Sequence, residues 1–532
     1  MPPSLTLLMA QINPMVGAVA LNSDKIINII TTHQHNHDVI IFPELSLTGY
    51  PLEDVLFRDQ LYTKIETSLK AIAACTASCY VIVGHPSRDQ DVLHNTASLF
   101  FNGQRVAQYH KQHLPNYGVF DEKRYFTPGD SSPCLLTIKG YRIGLCICED
   151  LWHPGPADQI IDSKAHVLIS MNASPFDVNK HEQRLALAKQ YAQRGVAIVY
   201  VNLVGGQDEL VFDGQSFALD NQGRLCARAS VFSEHLQTIT MRDHTMTSNI
   251  TPLLEQSALV YQALVCGLRD YVNKNHFPGV LLGLSGGVDS ALTLAIAVDA
   301  LGPSRVLAVV MPSRYTADIS NQDALAQLKA LNVDHLTLPI EPAFNTILTT
   351  LEPAFAGRPQ DTTEENIQAR IRGILLMALS NKTGNMLLTT SNKSESAVGY
   401  ATLYGDMCGG FAVLKDVLKT TVYLLAHYRN GLSPIIPERV LTRAPSAELA
   451  PNQTDQDNLP EYAVLDAIIQ CYMDDGLDAD AIITLGYPKD VVLRVITLII
   501  RNEYKRRQAP PGTKITPCSF GRDWRYPMTN GL

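Results

Sequence analysis

Short apolar, β-branched runs alternate with amphipathic stretches along almost the whole chain. In the first half the runs are residues 5–12 (LTLLMAQI), 38–43 (DVIIFP), 80–84 (YVIVG), 97–101 (ASLFF), 142–148 (RIGLCIC), 166–171 (HVLISM) and 196–203 (VAIVYVNL). Their length and side-chain type predict buried strands. Stretches 22–32 and 181–194 have apolar residues at helical spacing and predict helices. The second half opens near residue 255 with a helical pattern and then repeats strand–helix units: 280–284 with 290–301, 305–311 with 321–331, and 385–390. Such alternation predicts an α/β fold with a doubly wound parallel sheet covered on both faces. The stretch 240–254, with Arg242, Asp243, His244 and Thr251-Pro252, reads as the boundary. Domains are therefore placed at 1–245 and 261–532, with 246–260 as the linker. Two polar segments containing proline, 351–366 and 443–460, read as mobile loops.

Composition narrows the class. A chain of 532 residues, 46% hydrophobic and 18% charged, is globular and needs more than one core. No apolar run reaches the ~18–20 residues that span a bilayer, and the stretch Met1–Ala10 has no basic leader, so a cytoplasmic protein is expected. Ten cysteines without zinc-type spacing point to a reducing compartment. A net charge of −9 argues against nucleic acid as the main partner. His33, His35 and His37 have no carboxylate or cysteine at ligand spacing and read as an exposed helix end.

The hexapeptide Ser285-Gly286-Gly287-Val288-Asp289-Ser290 follows a predicted strand and opens a predicted helix. Two glycines allow a tight turn whose N–H groups face one anion, the helix start adds partial positive charge, and Asp289 can hold Mg²⁺ against phosphates. Bland alternatives are a Gly-Gly turn with an N-cap; the strand–loop–helix context favours the anion site. The hexapeptide resembles the pyrophosphate loop of ATP-dependent amide and thiolation enzymes, which cleave ATP to AMP and pyrophosphate. Further motifs follow in order: Asn366-Ile-Gln-Ala-Arg370-Ile-Arg372-Gly373, Thr389-Thr390-Ser391-Asn392-Lys393-Ser394-Glu395, Tyr404-Gly405-Asp406-Met407-Cys408-Gly409-Gly410, and a basic stretch from Glu503 to Pro511. Together they resemble the NAD⁺ synthetases. That resemblance implies ATP contacts from Gly283, Leu284, Ser285, Gly286, Gly287, Val288, Asp289, Ser290 and Thr390. It also implies deamido-NAD contacts from Asn366, Arg370, Glu395 and Lys505, and a metal shared by Asp289 and Glu395. Cys408 stands where a small residue is expected.

Three residues of the first half stand out: Glu44 in IIFPELSLTGYP, Lys111 in AQYHKQHLPNYGVFDEKRYF, and Cys148 in YRIGLCICEDLW. A thiol nucleophile splits amide cleavage into two easier steps, a buried carboxylate can serve as its base, and an ammonium can stabilise the oxyanion. Alternation places Cys146 and Cys148 on one strand face and leaves the choice between them open. The motifs resemble the carbon–nitrogen hydrolase (nitrilase) superfamily, which implies an α-β-β-α sandwich, a Glu44–Lys111–Cys148 triad with the nucleophile directly before Glu-Asp, and glutamine contacts from Tyr117, Ser174 and Lys180.

The combined chain, about Leu5 to Thr529, resembles the glutamine-dependent NAD⁺ synthetase family. This implies ATP and Mg²⁺, small-molecule substrates (glutamine, ATP, deamido-NAD), a homo-oligomer, no nucleic acid and no membrane. The alternative is another pyrophosphate-loop amidotransferase with a different carboxylate acceptor. Since ammonium is not a nucleophile, a dry tunnel for ammonia is also expected. Glu448, Gln453 and Asp455 match a family segment in the second expected loop.

Overall fold

The structure, a computed structural model, describes residues 4–531 except 244, 447, 451 and 452. Met1–Pro3 of the expected leaderless start, His244 of the boundary stretch, and Ala447, Pro451 and Asn452 of the second expected loop lie outside the described residues, as does Leu532. The chain divides into two compact units, Met1–Leu254 and Glu255–Leu532.

The first unit is built on two sheets. Its strands are β1 (Leu5–Gln11), β2 (Val39–Ile41), β3 (Tyr80–Asp89), β4 (Val92–Phe101), β5 (Gln104–His110), β6 (Cys134–Ile138), β7 (Tyr141–Ile147), β8 (Val167–Asn172), β9 (Ala197–Asn202), β10 (Val204–Gln207), β11 (Leu210–Asp213), β12 (Phe217–Leu219), β13 (Leu225–Arg228), β14 (His235–Arg242) and β15 (Thr245–Thr247). One sheet runs β15-β14-β1-β2-β3-β4-β5 and the other β13-β12-β9-β8-β7-β6, while β10 and β11 form a hairpin. Strand alternation decides the layering. Leu5, Leu7 and Met9 of β1 meet Val167, Ile169 and Met171 of β8 in one core between the sheets. Leu8 and Ala10 face the other way, into a core completed by helices α1 (Val19–His33) and α2 (Asp59–Cys75). Leu168 and Ile198 likewise point into a core closed by α3 (Pro156–Asp162) and α4 (Lys180–Ala192). Strands buried on both faces explain why the sequence shows continuous apolar runs rather than polar alternation. The result is an α-β-β-α sandwich. Strand β15 occupies part of the stretch read as linker. His37 corrects the reading of an exposed histidine cluster: it is 8% exposed, with ring nitrogens 2.9 Å from the His33 carbonyl and 2.8 Å from Thr238 Oγ1.

The second unit begins with α5 (Gln256–Lys274), which starts inside the expected 246–260 linker. Its sheet comprises β16 (Val280–Gly283), β17 (Val306–Val310), β18 (Asp334–Thr337), β19 (Met386–Thr389) and β20 (Phe411–Ala412), ordered β18-β17-β16-β19-β20 and parallel throughout. The first strand is central and later ones add on either side, so the chain reverses its winding at β16, where α/β folds bind ligands. Its helices include α6 (Val288–Leu301), α7 (Asp318–Leu331), α8 (Glu341–Phe355), α9 (Thr362–Thr383), α10 (Lys393–Val398) and α11 (Lys419–Leu432). The loop expected at 351–366 is corrected: α8 continues to Phe355 and α9 begins at Thr362. Asp361 accepts from Thr363 N (2.7 Å) while Glu364 accepts from Asp361 N (3.0 Å), a reciprocal helix-start cap, leaving only 356–361 outside helix.

Candidate functional sites

In the first unit, Glu44, Lys111 and Cys148 come together between the sheets and are 1%, 1% and 5% exposed. Lys111 Nζ donates to Glu44 Oε1 at 2.7 Å. The same oxygen accepts from Asn95 Nδ2 at 2.7 Å, and Glu44 Oε2 accepts from Ala173 N at 2.7 Å. Lys111 Nζ also donates to Glu122 Oε1 at 2.9 Å, which accepts from Tyr50 OH at 2.9 Å. Glu122 lies inside the DEKR of the stretch quoted for Lys111, yet nothing local distinguishes it from an exposed acid there. Burial works against the Lys111 ammonium, but Glu122 and Glu44 outweigh it and hold its pKa well above the usual lysine value. Burial, opposed by Lys111 and assisted by Glu44, lifts Glu122 to about 7. Burial and the Glu44 charge likewise push the Cys148 thiol well above its ordinary value.

Cys148 corrects the shared-face expectation. Strand β7 ends at Ile147, and Cys148 has φ of 46°, opening a short 3₁₀ turn. The left-handed residue breaks the alternation: Cys146 points into the helix-side core, whereas Cys148 joins Leu145 and Ile147 in the inter-sheet core. Such a conformation in a non-glycine residue costs on the order of 1–3 kcal/mol and is kept where surroundings enforce it. Here Asp150 does the enforcing. It accepts from Ile147 N (3.1 Å) and Tyr109 OH (2.8 Å) on one oxygen, and from Gln112 N (3.0 Å) and His113 N (2.8 Å) on the other. One carboxylate thereby ties the cysteine turn to the backbone just after Lys111.

Tyr117 is half exposed, and its hydroxyl donates to Glu149 at 3.2 Å. Lys180 Nζ sits 4.7 Å over the Trp152 ring, its pKa lowered by burial and by Arg184. Ser174 is buried, and its hydroxyl accepts from Arg184 Nε at 3.0 Å.

In the second unit a cavity of about 280 Å³ opens at the carboxyl end of the sheet. Gly283, Leu284, Ser285, Gly286, Gly287, Val288, Asp289, Ser290, Thr390 and Glu395 all line it. Gly286 has φ of 82°, and a Cβ there would lie 2.3 Å from the Ser320 carbonyl oxygen, so only glycine fits. Ser285 Oγ lies 3.0 Å from Ser290 Oγ and accepts from Gly287 N at 3.2 Å, closing the loop over the start of α6. Lys419 Nζ, which sequence reading missed, bridges Asp289 Oδ2 and Glu395 Oε1, the latter at 3.1 Å. Burial raises Glu395 to about 7 despite Lys419. Two carboxylates converging on one cation match the donor set Mg²⁺ takes when phosphates complete its shell. Those two carboxylates therefore fit such an ion, and Lys419 is the cation that bridges them in this structure.

Asn366, Arg370 and Lys505 gather around the turn 399–406 instead of lining the cavity. Asn366 Oδ1 accepts from Thr402 Oγ1 (2.8 Å), Arg370 Nε donates to the Leu403 carbonyl (3.2 Å), and Lys505 Nζ to the Gly399 and Ala401 carbonyls (2.8 and 2.9 Å). Cys408 lines the cavity, and a Cβ on Gly373 would lie 3.0 Å from its sulfur. Arg443, Glu448, Leu449 and Asp455 of the second expected loop also line the cavity. There Glu448 accepts from Ser320 Oγ (2.6 Å), Asp455 from Tyr462 OH (2.8 Å), and Gln453 Nε2 donates to Glu365 (3.3 Å). Among the described residues, no cluster of three or more His, Cys, Asp or Glu could hold a metal, and no helix is long and apolar enough to cross a membrane.

Two family models match the chain: carbon–nitrogen hydrolase over residues 8–248 and NAD synthase over residues 260–509. A glutamine-dependent NAD(+) synthetase from Xanthomonas campestris pv. campestris is 48% identical, the match covering 99% of this chain and 98% of that relative. The chain belongs to the glutamine-dependent NAD(+) synthetase family. Another member, from Acinetobacter baylyi, is 45% identical over 99% of both chains. The solved structure of the Acinetobacter baumannii enzyme, in complex with adenosine diphosphate, is 44% identical with a TM-score of 0.81, covering 99% of this chain and 98% of its own.

Proposed function

We infer that the chain amidates deamido-NAD to NAD⁺ with nitrogen from glutamine, releasing glutamate, AMP and pyrophosphate. The observation that carries this reading is that one family member holds both a buried Glu44–Lys111–Cys148 cluster and a cavity built on Ser285–Ser290.

In the first unit Cys148 is the nucleophile. Its raised pKa keeps it a thiol at rest, so a base must take the proton as attack begins, and Glu44 is that base. Sγ bonds to the amide carbon of glutamine while the Lys111 ammonium, kept charged by two carboxylates, faces the developing oxyanion. Glu44 returns the proton to the leaving nitrogen and ammonia departs. Water then loses a proton to Glu44 and cleaves the thioester, releasing glutamate. Tyr117, Ser174 and Lys180 hold the substrate's amino-acid end.

In the second unit Ser285–Ser290 and Thr390 bind ATP, and Asn366, Arg370, Glu395 and Lys505 bind deamido-NAD. The nicotinate carboxylate attacks the α-phosphorus and pyrophosphate leaves. Ammonia attacks the acyl carbon of the adenylate, loses a proton and displaces AMP. Asp289 and Glu395 would hold Mg²⁺, which neutralises phosphate charge when bound.

The test is incubation with glutamine, ATP, Mg²⁺ and a panel of carboxylates, with product followed by mass. Turnover with an acceptor other than deamido-NAD would favour a different amidotransferase. Cys148→Ala should abolish synthesis from glutamine and retain synthesis from ammonium chloride; loss of both would overturn the division of labour. Ammonia passes between the reactions without mixing with solvent, so ¹⁵N-amide glutamine should label NAD⁺ fully despite excess unlabelled ammonium. Light scattering tests for the expected homo-oligomer.

A further inference from the structure

We propose that Arg372 is an anion-binding residue of the ATP cavity that holds the α-phosphoryl group, the one that stays with AMP. This rests on the reading of that cavity as the ATP site.

Arg372 lies on α9, is partly buried, and lines the cavity wall. Its sole polar contact among the described residues is a long one, from Nε to the Met311 carbonyl at 3.4 Å. Other cations lining the cavity are neutralised: Lys419 by Asp289 and Glu395, and Arg443 by Glu448 at 3.4 Å. Among the described residues Arg372 has no carboxylate within ion-pair distance; burial lowers its pKa and only the field of Glu448 opposes this. Its remaining N–H donors face the cavity, where an anion can accept from them. Its five N–H donors form a planar fork suited to a phosphoryl group.

Position selects which phosphoryl group. The backbone N–H groups of Ser285–Ser290 and the start of α6 serve the end of the nucleotide that leaves as pyrophosphate. Arg372 comes from a different element. It reaches the Met311 carbonyl beside the apolar patch where Met311 and Leu376 approach Gly283, a surface suited to a base. The Arg372 charge also feels Glu448, which accepts from Ser320 Oγ, and the Ser320 carbonyl abuts Gly286 of the loop. Arg372 is thus linked to both the apolar patch beside Gly283 and the loop at Gly286, which assigns it to the phosphoryl group between the nucleoside and the pyrophosphate.

The test is calorimetric binding of ATP, AMP, adenosine and pyrophosphate to the full chain, as wild type, R372A and R372K. Wild type should bind AMP more tightly than adenosine. R372A should weaken AMP by about tenfold or more, the scale of a lost charged hydrogen bond, and leave adenosine and pyrophosphate within about twofold. R372K, which keeps charge without the fork, should recover part of the loss. Equal wild-type affinity for AMP and adenosine would overturn the proposal without needing any variant. So would parallel weakening of AMP and adenosine, which means lost packing, or weakening of pyrophosphate alone. If wild type binds neither AMP nor ATP, the ATP reading itself falls.

Discussion

Glutamate 122 offers the sharpest test of the electrostatics around Lys111. Its carboxyl is buried, shares Lys111 with Glu44, and titrates near 7 in place of the ordinary 4.5. The folded protein thus keeps a proton that the unfolded chain releases more readily. Stability from this group is fully present below the unfolded pKa and is lost as pH rises through the folded value. A shift of about 2.5 units corresponds to about 3 kcal/mol between pH 4.5 and pH 8. Glu122→Gln keeps an amide oxygen to accept from Lys111 and Tyr50 and removes the titration. The loss of unfolding free energy between pH 5 and pH 8 should therefore shrink by up to about 3 kcal/mol relative to wild type. Urea unfolding followed by Trp152 fluorescence, with Trp524 replaced by Phe in both proteins, reads the first unit alone, since these are the only two tryptophans. Titrating groups remote from Glu122 contribute equally to both proteins and cancel in the difference; Lys111, Tyr50 and Cys148, which feel its charge, are held charged or protonated across this pH range. Identical pH dependence in the two would refute a raised Glu122 pKa and the crowded-carboxylate account of the site.

Three further outcomes are expected. Gly286→Ala forces a Cβ against the Ser320 carbonyl at a left-handed position, so AMP formation should fall at least about a hundredfold while glutamine hydrolysis persists. Asp150→Asn replaces an acceptor of two backbone N–H groups by an amide donor on one side; glutaminase activity should drop by about tenfold or more, with the Tm lowered and ammonium-supported synthesis retained. Segment 443–460, read as a mobile cover of the cavity, should be cut more slowly by protease when ATP and deamido-NAD are present, and equal cutting would remove it from that role.

Local chemistry was legible in the sequence where the whole device lies within a few residues. The Ser285–Ser290 loop needs only a strand end, two glycines and a helix start, all contiguous, and the cavity forms there. Apolar, β-branched strands such as β1, β8 and β9 were legible too, because periodicity and β-branching are short-range signals, whereas β5, β6 and β10 to β15 carry no such run and went unread. Tertiary structure alone decided how residues from separate strands share charge. Glu44 and Lys111 stand 67 positions apart, just beyond β2 and β5 of one sheet, and only the folded arrangement leaves them in one dry pocket with Glu122. Periodicity also failed at Cys148, because a single left-handed residue shifts the parity that alternation assumes. Lys419 and Arg372 look like ordinary helix cations in sequence. What separates them is whether a carboxylate arrives from another part of the chain, and that depends on the fold: among the described residues two reach Lys419 and none pairs with Arg372.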